Sequence, residues 1–151
     1  MKRICCLLLA LLLLTGCGGT KTEAKTLDLE GLYAQMEGSF PEMFELGDAE
    51  RLDFLGLKTE DYTEAVTAVC ADSMRADEIW LINAKDGEAL KRIEAKAQNR
   101  LAVRIEEAKA YSPEQTKILE DAVTMTQGSY FILIVSADAQ KLAELVKNAW
   151  E

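Results

Sequence analysis

The chain of 151 residues contains no histidine, only two prolines and no excess of positive charge. Without an imidazole, Ser-His-Asp and Cys-His relays are excluded, as are zinc sites that need a histidine ligand. Seventeen Lys and Arg oppose 26 Asp and Glu, giving a formal net charge of −9. Nucleic-acid affinity rests on basic side chains neutralising phosphates, so no nucleic-acid partner is expected. The chain also lacks a CxxC pair, a Gly-rich phosphate loop and an EF-hand string, so neither a metal nor another cofactor is expected. What it has is apolar content, 49% of residues, enough for one core in a chain of this length.

Much of that apolar content stands at the N-terminus. Lys2 and Arg3 precede an unbroken apolar run from Ile4 to Leu14. Its eleven residues match the core of a signal peptide and fall well short of the ~20 needed to span a bilayer. Leu14-Thr15-Gly16-Cys17 follows and resembles the bacterial lipobox. That motif implies cleavage between Gly16 and Cys17, with a lipid on the Cys17 thiol. The expected organisation is a signal peptide over 1–16, a lipidated N-terminus and flexible tether over 17–26, and one domain over 27–151. The membrane would then be a partner through the lipid on Cys17, on the extracytoplasmic face of the cell membrane. Cleavage removes Lys2 and Arg3, leaving 15 basic against 26 acidic groups, net −11. Of four cysteines (Cys5, Cys6, Cys17, Cys70), only Cys70 keeps a free thiol, so the domain must hold together without a disulfide.

Within the domain, Leu29, Leu32, Tyr33 and Met36 fall at helical spacing behind Asp28 as N-cap. Phe40-Pro41 ends that helix, and Phe40, Met43, Phe44 and Leu46 form an apolar cluster in an irregular stretch. Residues 48–57 read as a short helix ending near Gly56. Residues 64–71 and 78–83 read as a hairpin, followed by a long helix that Asp86 caps. Ser112-Pro113 restarts a helix, with Gln115 placed to complete a capping box. Gly128-Ser129 turns a second hairpin, 121–127 with 130–136, and Asp138 caps a last helix.

An offset of 52 pairs Leu81 with Leu133, Ile82 with Ile134, Asp86 with Asp138 and Leu90 with Leu142. This predicts two ββα units. The expected fold class is α+β, a four-stranded antiparallel sheet with helices on one face and an N-terminal helical segment. Residues 79–82 and 130–135 are apolar on both faces, so the second face needs a cover. The segment 29–57 is the first candidate, and a partner, a ligand or a second copy of the chain are alternatives.

Ala76-Asp77-Glu78-Ile79, Ala84-Lys85-Asp86, Tyr111-x-Pro113-Glu114 and Gly128-Ser129-Tyr130 stand in an order that resembles the domain of unknown function 4358 family. The resemblance covers about residues 29–150. It implies an extracytoplasmic lipoprotein facing the outside of a single-membrane cell, as in clostridia-like Gram-positive bacteria. It implies no activity.

The chemistry candidates are few. Cys70 lies in a strand and reads as a small buried hydrophobe. Asp48, Glu50 and Asp53, and again Glu60, Asp61 and Glu64, are acid clusters without calcium-loop spacing and read as solvated faces. Trp80 and Tyr130 read as core, with ligand stacking as the alternative. No catalytic residue is assigned. The function expected is a non-enzymatic binding or interaction module of the cell envelope, and the alternative is an envelope hydrolase working through carboxylates. A structural homodimer is a third expectation.

Overall fold

A computed structural model describes residues 26–151; the expectations for Gly16, Cys17 and most of the tether lie outside the described residues. The helix α1 (Leu29–Met36) starts where Asp28 accepts a hydrogen bond from the Gly31 N–H, and a 3-10 turn (Glu37–Ser39) ends it before Pro41. A short strand β1 (Met43–Glu45) leads to α2 (Asp48–Glu50), which continues as a π-helical turn (Arg51–Leu55). Gly56 closes that turn at φ +67°, a left-handed conformation that glycine adopts without strain. Then come β2 (Tyr62–Cys70), β3 (Glu78–Ala84), α3 (Gly87–Lys109), α4 (Pro113–Glu120), β4 (Val123–Gln127), β5 (Tyr130–Val135) and α5 (Ala139–Trp150).

The five strands form one antiparallel sheet in the order β1-β2-β3-β5-β4. The central strands β3 and β5 pair directly, Ile79 with Ile134 and Leu81 with Ile132. Val66, Ala68, Ile79, Leu81, Ile132 and Ile134 look to one face, where α1 and α5 cover them. Trp80, Ile82, Phe131, Leu133 and Val135 look to the other, beneath α3, α4 and Leu55 of the π-helical turn. Leaving Ile79, Leu81, Ile132 and Ile134 wet would forgo roughly 6–12 kcal/mol of burial, comparable to the whole stability of a domain this size. Both hydrophobic layers close within residues 27–150, so this segment carries its own complete core.

Two parts of the expected architecture are corrected. The sheet has five strands, because Met43, Phe44 and Glu45 extend along Cys70, Val69 and Ala68. The helices do not share a face either: α3 and α5 lie on opposite faces. The reason is parity. The register pairs odd-numbered residues of β3 with even-numbered residues of β5, whereas the offset of 52 matches odd with odd. Leu81 and Leu133 therefore point to opposite sides, and the two ββα units are not related by the sheet's symmetry. The N-terminal segment accordingly divides, with α1 beside α5 and the π-helical turn beside α3.

Local caps also differ in detail. Ser112 accepts from the Gln115 N–H as expected, but the side-chain Oε1 of Gln115 accepts from the Ala76 N–H instead of closing a box. Asp138 stands at the N-cap of α5 without a side-chain bond to it; its own N–H donates to the Ser136 hydroxyl.

Candidate functional site

Glu78 opens β3 on the α3 side of the sheet and is 1% exposed. A carboxylate so deeply buried needs compensation, and three donors provide it. The Arg100 Nε and Arg104 Nη1 each donate to it at 2.6 Å, and so does the indole Nε1 of Trp80. Arg104 also donates to the carbonyls of Ala76 and Arg75, which pins the loop entering β3. Arg100 donates from Nη1 to the Phe54 carbonyl, which ties the π-helical turn to α3. Two guanidiniums thus share one carboxylate, and the cluster keeps one positive charge in excess.

Arg100 forms one wall of a groove of about 410 Å³ at the edge of the sheet. Phe44 of β1, Leu46, Phe54, Val69 and Cys70 complete it. Phe44 and Phe54 are 54% and 60% exposed, although a folded chain gains by burying such rings. An apolar concavity of this size with one polar group is the ordinary form of a small-molecule site. No acidic side chain lines it.

The remaining carboxylates are dispersed. Asp61 is buried and accepts from Nε and Nη2 of Arg92, while its carbonyl accepts from the Lys85 N–H. Asp48 accepts from Arg51 and from the Tyr62 hydroxyl, whose pKa is raised, first by burial and then by that bond. Burial, with Asp28 and Glu30 nearby, pushes the Glu64 carboxyl upward. A second hollow, about 380 Å³ beside Gly56, sets Lys58, Arg92 and Lys96 against Glu60 and Asp61. A third, about 450 Å³, holds Glu114, Lys117 and Asp121, the last two ion-paired. Among the described residues, no group of three or more Asp, Glu or Cys is arranged to hold a metal ion.

The residues singled out in the sequence therefore separate. Trp80 and Tyr130 are core; the Tyr130 hydroxyl accepts from the Leu27 N–H. Cys70 is half-buried on the groove, more open than a core hydrophobe. Asp48 is exposed, as expected of a solvated face, and pairs with Arg51; Asp61 departs from that expectation, being buried and held by Arg92. Sequence reasoning missed Glu78, Arg100 and Arg104. A faint signal existed: Arg92, Lys96, Arg100 and Arg104 recur every fourth residue, a basic stripe beside the apolar face of α3.

The described helices include none long and apolar enough to cross a membrane. Neither the curated proteins nor the solved structures gave a match to the chain. A family model described as a domain of unknown function (DUF4358) matches residues 36–136, from the end of α1 to the residue after β5. That segment contains the whole sheet, the Glu78 cluster and the groove. The match spans about two-thirds of the chain, and the protein belongs to the DUF4358 family.

Proposed function

We propose that this is a lipid-anchored extracytoplasmic protein of a Gram-positive envelope whose domain is a non-enzymatic binding module. The observation that carries the binding reading is the groove, where two aromatic rings stay exposed over a partly buried arginine. The anchor rests on the signal-peptide pattern and on Leu14-Thr15-Gly16-Cys17. A tether of nine residues after Cys17 reaches roughly 15–18 Å, which would keep the domain near the membrane. With the mature chain acidic, attachment would depend on the acyl chains and not on attraction to anionic headgroups. The hydrolase alternative has less support. Among the described residues, the buried carboxylates Asp61, Asp77 and Glu78 are each engaged by an arginine.

Two measurements test this reading. In a Gram-positive host, the chain should incorporate labelled palmitate and be shortened to Cys17. Cys17→Ala should remain unlabelled and uncleaved; an unchanged mass and label in the variant would refute the anchor. Immobilised domain, residues 26–151, should retain an envelope protein or small molecule that a Phe44→Ser/Phe54→Ser variant does not. A measured turnover at the Glu114–Asp121 hollow or elsewhere, with no retained ligand, would overturn the binding reading.

A further inference from the structure

The groove's chemistry narrows its occupant, given the binding reading above. Its walls are apolar except for Arg100. The hydrogen bonds of that guanidinium among the described residues use Nε and one N–H of Nη1, and Nη2 makes none. The charge behind it is not balanced, since Arg100 and Arg104 face only Glu78. A groove with an apolar body, one unspent planar donor and one excess positive charge complements a single carboxylate on an apolar chain. The Nη2 group can still donate a charge-assisted hydrogen bond to a carboxylate oxygen, and partial burial strengthens the attraction. The excess of one charge matches a monoanion and leaves a dianion half-compensated. An added peptide strand is a poorer fit. The neighbouring edge strand β1 is three residues long and carries the exposed Glu45, two features that discourage strand addition.

We infer that the groove between Phe44, Phe54 and Arg100 binds a small amphipathic monocarboxylate, an aliphatic chain lying on the two rings with its carboxylate on Arg100. Residues 26–151 carry the complete core, so the soluble domain serves for the test. Calorimetric titration compares decanoate with decanol, which shares the chain and lacks the charge. Decanoate should bind about tenfold more tightly, the worth of one charge-assisted hydrogen bond, and should weaken as salt rises. Phe44→Ser/Phe54→Ser should weaken decanoate at least about fivefold while the thermal midpoint stays within error, because both rings are already exposed. Arg100 is not substituted, since it also holds Glu78. Equal affinity for decanoate and decanol would overturn the inference, and so would undiminished binding by the double variant. Absence of decanoate binding by a domain that still retains another ligand would overturn it too, while leaving the binding reading intact.

Discussion

The sharpest stability test falls on Glu78. Replacing it with alanine removes the one acceptor shared by Arg100, Arg104 and the Trp80 indole. Removing one partner of a buried ion pair typically costs about 3–5 kcal/mol, because the other charge is left uncompensated. Here the arginine side chains are 24% and 18% exposed and can recruit some water, which places the cost toward the lower end. The indole N–H cannot, since Trp80 is fully buried, and an orphaned donor costs about 1–3 kcal/mol more if nothing shifts. These terms share one network and do not simply add. The expected loss for Glu78→Ala is about 4 kcal/mol, against a domain stability of about 6–15 kcal/mol. Glu78→Gln keeps an acceptor but sets an amide N–H against a guanidinium, and should lose about 2–3 kcal/mol. Urea unfolding followed by tryptophan fluorescence measures both. A loss under about 1 kcal/mol for Glu78→Ala would refute the claim that the two arginines and the indole depend on Glu78 as their shared acceptor.

Two further outcomes follow from local geometry. Burial, with Glu45 and Glu37 nearby, pushes the Tyr33 phenol up to about 12 from its ordinary 10.0. The folded state thus holds this proton more tightly than the unfolded chain. Stability from Tyr33 is full below pH 10 and is lost as the pH rises toward about 12. Tyr33→Phe should flatten that alkaline decline in urea midpoints; an unchanged slope would contradict it. Gly56→Ala forces a Cβ into a left-handed residue at φ +67°, although the nearest Lys96 atom lies an ordinary 3.4 Å away. The loss should be about 1 kcal/mol, read from the thermal midpoint, and a stabilised variant would refute it.

Much of the secondary structure was legible because its signals are local. Asp28 and Asp86 cap helices by accepting backbone N–H groups, Ser112-Pro113 starts α4, and Gly128, at φ +60°, turns the second hairpin. The strand β1 was not legible, since three residues give too little alternation and Pro41 lies just before them. Nor were the faces. Strands that are apolar on both sides carry no alternation, so only the register reveals which residues share a layer. The site was least legible of all. In the sequence, Glu78 is the polar end of an otherwise apolar strand, and Arg100 is one of several charged residues along a long helix. Their meeting depends on how α3 crosses the sheet, a tertiary fact with no local signature.

The seam between β3 and β5 has a consequence for how the chain comes together. The hairpins β2–β3 and β4–β5 can each form from neighbouring residues, but the seam joins positions separated by roughly 47 to 57 residues. Neither hydrophobic layer has a complete floor until that joint is made, so collapse of both layers is coupled to one long-range closure. Such non-local pairings slow folding relative to helical bundles of equal size. During the delay the inner edges of β3 and β5 stand open as unpaired strands, the state most exposed to association with another chain.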